Sequence, residues 1–142
     1  CNTVTTTAST GAGSLHDVLD CISNGDTIFF ASNLNNQTID LDSIPLVINK
    51  NVVFYANPGQ NIKINANSAT HCISVANNLD VTVQGLILMA GTDIQGAGVM
   101  NYGNLVLRDT DILGHPSGNY ESLVMNNNIL RIEGNCFFDA NY

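Results

Sequence analysis

With 142 residues, 44% of them hydrophobic, the chain is long enough for one domain with a buried core and too apolar to be disordered. Its net charge of −8 sets twelve carboxylates against only Lys50, Lys63, Arg108 and Arg131, which excludes a phosphate-tracking nucleic-acid surface and attraction to an anionic membrane. Charged residues are only 11% of the chain, so surface polarity falls to asparagine, in runs such as Asn35-Asn36, Asn77-Asn78 and Asn126-Asn127-Asn128.

Taken in chain order, the first residue is Cys1 rather than Met, which reads as a mature product or an excised fragment. No apolar run approaches the roughly 18 residues of a membrane span. Cys1, Cys21, Cys72 and Cys136 contain no CxxC pair, which disfavours zinc. In an exported protein Cys1 with Cys21 is the favoured disulfide, and Cys21 with Cys72 stays open as the alternative.

Val4 stands in a threonine-rich stretch that predicts a strand. Residues 13–25 are the one convincing helix. Ser14 is a fitting N-cap, and Asp17 three residues on completes a capping-box pattern. Leu15, Val18, Leu19 and Ile22 form a single apolar stripe, and Asn24-Gly25 supplies the stop. Asp26 to Phe30 then reads as a strand. Residues 1–26 are accordingly expected to form an N-terminal cap, and residues 27–142 the body.

The body repeats. Val81-Thr82-Val83-Gln84-Gly85 aligns with Leu105-Val106-Leu107-Arg108-Asp109 and with Leu130-Arg131-Ile132-Glu133-Gly134, at offsets of 24 and 25 residues. An earlier copy, Val52 to Ala56, lies 29 residues before Val81, with its extra length in the polar stretch around Asn57-Pro58-Gly59-Gln60. Apolar and polar residues alternate within each copy, so the local unit is a strand. A unit of this size cannot bury its own apolar face, and stacking the copies does. The expected fold is all-β: a right-handed parallel β-helix of about five coils, beginning near Thr27, Val52, Val81, Leu105 and Leu130, behind the capping helix. Leucine-rich repeats share the period but need a Leu/Asn consensus that is missing here. The same offsets place Val75, Val99 and Val124 in one interior column and Asn77, Asn101 and Asn126 in a structural ladder at one corner. Cys72 and Cys136 fall three coils apart, beyond the reach of a disulfide.

Gly11-Ala12-Gly13-Ser14-Leu15-His16-Asp17 and Gly25-Asp26-Thr27-Ile28-Phe29-Phe30 resemble the opening of bacterial pectin-lyase-like β-helix proteins, among them the choice-of-anchor Q type and related surface adhesins. Leu79 to Leu86 and Gly96 to Leu105 resemble their later coils. The resemblance spans nearly the whole chain. It implies export across the Gram-negative envelope, often by the type IX route, and residence in long surface proteins. Two departures stand out: His16 occupies a position where that family usually has Arg, and the chain stops soon after the fifth coil begins.

Polysaccharide lyases and hydrolases share such folds, so chemistry has to be read from residues. Asp109 and Asp111 are the closest acidic pair, followed by His115. Their coil equivalents are Gly85 and Gly134 for Asp109, and Ile87 and Cys136 for Asp111, so no second carboxylate stacks against either, as a hydrolase pair would require. No catalytic residue is assigned. Arg108 falls beside Glu133 as a surface ion pair. Calcium at Asp40 and Asp42, or at Asp109 and Asp111, is a weak reading without a fuller oxygen-ligand series, and no cofactor is expected. The expected role is a non-catalytic module of an exported cell-surface adhesin or filament, presenting residues 57–61, 91–97 and 114–121 to a glycan or protein, or serving as a spacer. The alternative is a carbohydrate-active enzyme or a fragment of one. Ice binding lacks a regular Thr-x-Thr array. The Phe137-Phe138 end is expected to need another domain or chain as its cover.

Overall fold

The computed structural model of the chain describes residues 1–93, 95–114 and 121–140. The chain runs through β1 (Thr3–Val4), α1 (Leu15–Cys21), β2 (Thr27–Phe30), a 3-10 turn (Ser32–Leu34), β3 (Thr38–Asp40), β4 (Leu46–Ile48), β5 (Val52–Tyr55) and β6 (Ile62–Asn65). It continues through β7 (Ile73–Val75), β8 (Asp80–Gln84), β9 (Leu86–Met89), β10 (Val99–Asn101), β11 (Asn104–Arg108) and β12 (Asp111–Leu113). The last strands are β13 (Val124–Asn126), β14 (Ile129–Glu133) and β15 (Phe138–Asp139).

These strands build three parallel sheets, ordered β1-β2-β5-β8-β11-β14, β4-β7-β10-β13 and β3-β6-β9-β12-β15. Each of the first four turns contributes one strand to each sheet and the fifth contributes β14 and β15, and the product is a parallel β-solenoid of about five turns. Successive rungs are about 4.8 Å apart, the hydrogen-bonding distance between strands. Alternation puts every second side chain inside, so equivalent residues form columns. Val52, Val81, Leu105 and Leu130 make one; Ile28, Phe54, Val83, Leu107 and Ile132 make another. Ile39, Ile64, Leu88, Ile112 and Phe138 make a third. The coil offsets of 29, 24 and 25 residues hold in this sheet register.

One part of the expected register is corrected. Val99 lies opposite Val124, but its partner on the other side is Ile73, and Val75 lies opposite Asn101. The corner between β7 and β8 holds Ala76, Asn77, Asn78 and Leu79, where the next coil has only Tyr102 and Gly103. Those two extra residues move Val75 out of the Val99–Val124 column and push Asn77 into an exposed turn. The ladder is therefore Asn101 with Asn126. The Asn101 amide donates to Asn126 Oδ1 at 2.7 Å, to the Gly103 carbonyl at 3.1 Å and to the Ile129 carbonyl at 2.9 Å. Its own oxygen accepts the Gly103 N–H at 3.0 Å, so a fully buried polar side chain is satisfied.

The expected helix is shorter than residues 13–25. It ends at Cys21, where Ile22 turns to extended backbone. Ser14 is the N-cap and accepts the Asp17 N–H at 3.2 Å, while the Asp17 carboxylate accepts the Gly13 N–H at 2.9 Å. Leu15, Val18, Leu19 and Ile22 are buried in the same core as the first coil. Lys50 donates to the Asp20 and Ile22 carbonyls at the other end of the helix, which carries no basic residue of its own in the last turn. The disulfide joins Cys1 to Cys21 and leaves Cys72 and Cys136 as thiols. Val4 in β1 pairs with Phe30, so the cap is also a rung of the largest sheet.

Candidate functional site

Of the residues singled out for chemistry, Asp109 and Asp111 meet at a corner of the solenoid. After β5, β8, β11 and β14 the chain bends into the sheet of β6, β9, β12 and β15. The corner of the fourth coil is Asp109-Thr110, with Asp111 opening β12, and that of the third is the single residue Gly85. Gly85 is required there twice over. Its φ is +78°, and a β-carbon would collide with the carbonyl of Ala56 in the coil before. The wider second-coil corner, Ala56 to Asn61, overhangs this pinch. Between them lies an open groove of about 380 Å³, lined by Asn57, Asn61, Gln84, Asp109, Asp111 and Asn135 among others.

Each groove carboxylate has a structural task. Asp109 adopts φ of +49° at the bend, and its Oδ1 accepts the Asn135 N–H at 2.9 Å. Asp111 Oδ1 accepts the Phe137 N–H at 3.1 Å. Both side chains thus reach one rung onward and cap backbone donors of the fifth coil. Thr110, fully buried between them, donates toward the Val83 and Arg108 carbonyls at 3.1 and 2.9 Å. Asp109 stands level with Gly85 and Gly134, as expected from the repeat. For Asp111 one equivalent is Ile87, but the other needs correcting. Ile112 pairs with Phe138, which brings Phe137 rather than Cys136 beside Asp111. The fifth-coil corner is one residue longer, and Cys136 is the extra residue.

Beside the groove the outward column Phe29, Tyr55, Gln84, Arg108 and Glu133 runs along the solenoid. Phe29 and Tyr55 meet edge to face with ring centres 6.1 Å apart. Arg108 grips Glu133 through two nitrogens at 2.9 and 2.6 Å and reaches Gln84 at 3.3 Å. Arg131 adds a second contact to Glu133 at 2.9 Å. The Arg108 hydrogen bond holds the Glu133 carboxyl below the usual carboxylate range, against a smaller opposing effect of desolvation.

A polar ladder that the sequence reading missed runs along a neighbouring corner. Asn24 Oδ1 accepts the Asn51 N–H at 2.9 Å, and Asn51 Oδ1 accepts the Asp80 N–H at 2.8 Å. Asp80 Oδ1 then accepts the Asn104 amide at 2.9 Å. Its signal was present in the sequence: Asn51, Asp80 and Asn104 each stand one residue before Val52, Val81 and Leu105.

The remaining candidates do not converge on the groove. Asp40 accepts the Asp42 N–H at 3.0 Å and the Asn67 amide at 3.3 Å, an ordinary turn arrangement. Among the described residues no three His, Cys, Asp or Glu side chains gather as metal ligands would. His115, with most of the expected 114–121 loop, lies outside the described residues. In the 91–97 segment Gln95 donates to Glu121 at 2.6 Å, and His71 lies 3.4 Å from Asp93. Cys72 is buried with its thiol donating to the Met89 carbonyl at 2.9 Å, and desolvation pushes it up to about 12, so it stays an unreactive thiol.

No family model, no curated protein and no solved structure matches this chain.

Proposed function

We propose that this chain is a non-catalytic β-solenoid module of an exported bacterial surface protein, and that it offers the corner groove and the flanking column to a glycan. One observation carries the reading: Asp109 and Asp111, the only acidic pair lining the groove among the described residues, accept backbone N–H groups of the next coil. A glycosidase acid has to take up and release a proton at the scissile bond, and its partner has to face it across that bond. Two carboxylates held by backbone donors on the same corner suit neither task.

Amide side chains beside carboxylates, with Tyr55 nearby, are what a binding site for hydroxyl-rich ligands uses. The Cys1–Cys21 disulfide supports an oxidising compartment and hence export. Adhesion, filament and spacer roles follow from the same module according to whether the groove is occupied. The test is binding of the folded chain to an array of bacterial and plant glycans, repeated with Asn61→Ala and Gln84→Ala. Retention of specific glycans by the wild type and their loss in these variants is the expected result. Depolymerisation of pectin or alginate that disappears in Asp111→Ala would replace this reading with the enzymatic one. Absence of retention would leave a spacer in place of a binding module.

A further inference from the structure

The corner groove carries charge of one sign. Asp109 and Asp111 bring two carboxylates to its lining, and among the described residues no Lys or Arg joins them there. The chain has four such cations in all, and three are engaged elsewhere. Arg108 and Arg131 hold Glu133, and Lys50 donates to carbonyls at the end of α1. Lys63 is the fourth. It stands in β6 opposite Ile87, which in turn is opposite Asp111, so two rungs of about 4.8 Å each separate the lysine from the carboxylate.

Each of the two carboxylates is half used. Asp109 Oδ1 accepts the Asn135 N–H and Asp111 Oδ1 accepts the Phe137 N–H, while neither Oδ2 has a donor among the described residues. The amides beside them are partly engaged as well. Asn61 donates to Asn36, and the Gln84 oxygen accepts from Arg108. The Asn61 oxygen and the Gln84 amino group remain for the hydroxyls of a ligand.

We infer, resting on the glycan reading of this groove, that its ligand is an amino-sugar glycan whose free ammonium groups face Asp109 and Asp111. An ammonium brings three donors and a positive charge to acceptor-only oxygens, and such charge-assisted bonds are roughly twice as strong as those between neutral groups. A uronate brings a third negative charge to the same place with no cation beside it, and like charges brought together reject a partner. The net charge of −8 acts in the same direction, drawing polycations toward the groove and repelling polyanions. The groove thus suits the opposite of a pectin or alginate chain.

The test measures the affinity of the folded chain for three oligosaccharides of equal length, in mildly acidic buffer where sugar amines are protonated. They are oligoglucosamine, its N-acetylated counterpart and oligogalacturonate, which are cationic, neutral and anionic. Oligoglucosamine is expected to bind at least about tenfold more tightly than the neutral sugar, the worth of one hydrogen bond to a charged group, and oligogalacturonate not measurably. Asp109→Asn and Asp111→Asn keep an Oδ1 acceptor for the backbone and remove the charge. Each should weaken oligoglucosamine binding several-fold and leave the neutral sugar unaffected. Asp20→Asn, at an exposed position of α1, makes the same change in net charge away from the groove and should alter none of the three affinities. Neutral or anionic sugar bound as tightly as the cationic one would overturn the inference and leave the glycan reading standing. Equal weakening by Asp20→Asn would mean attraction to the chain as a whole and would overturn it too. If no glycan of any charge is retained, the glycan reading falls first and the inference with it.

Discussion

The two ends of the solenoid are built from the same columns and end differently. At the first coil Ile39, Leu46 and Ile48 belong to the outermost strands of their sheets, yet each is at most 1% exposed. The helix face of Leu15, Val18, Leu19 and Ile22 joins that core and takes the place of a preceding coil. At the fifth coil the interior positions Ile132 and Phe138 are 52% and 38% exposed, although Leu107 and Ile112 beneath them are fully buried. Identical alternation therefore gives a buried core only where something lies on both sides. The core is a property of stacking, and a coil of this kind has none of its own.

The largest effect should separate the two ends within a single column. Phe54→Ala in the second coil removes a fully buried ring and should cost about 4 kcal/mol, while Ile132→Ala in the fifth should cost under about 1 kcal/mol. Chemical denaturation measures both, and equal costs would erase the contrast. Reducing Cys1–Cys21, which closes a separation of 20 residues, should lower stability by about 3 kcal/mol and loosen the cap before the coils. Near-simultaneous loss of both would show that the cap has no autonomy.

The asparagine ladder sharpens the contrast on a smaller scale. Asn101→Ala leaves the Gly103 N–H and the Ile129 carbonyl without their buried partner and should cost about 2 kcal/mol. Asn126 forms the same local bonds, to Asn128, but is exposed, and its replacement should cost about 0.5 kcal/mol or less. The smallest effect concerns Glu133, which ties the open coil to Arg108. Its folded carboxyl is held low, so its contribution is present above the ordinary glutamate range and is lost as pH falls through the lowered folded value. Stability curves of wild type and Glu133→Gln should separate at neutral pH and converge below about pH 4.

Much of this architecture was legible because a solenoid repeats its chemistry. The apolar pairs at Val52, Val81, Leu105 and Leu130 set the coil lengths, and the stripe from Leu15 to Ile22 marked the cap. The corner at Asn77 was not legible, for a physical reason. Side chains alternate with a period of two, so a two-residue insertion returns every residue to the same face and leaves the pattern intact. Val75 is as suitable above Ile48 and below Asn101 as it would have been beside Val99. The site was read less completely than the fold. Asp109 and Asp111 stood out as a pair of acids, but their bonds to Asn135 and Phe137 depend on where the next coil lies in space. The donors there are main-chain N–H groups, which every non-proline residue carries and no sequence pattern reveals.

Native-state hydrogen exchange tests the stacking account most directly. Amides of β5 and β8, covered by coils on both sides, should be protected at least about tenfold more than those of β14, which among the described residues is the last strand of its sheet. Equal protection along the solenoid would mean that burial in this chain does not depend on neighbouring coils.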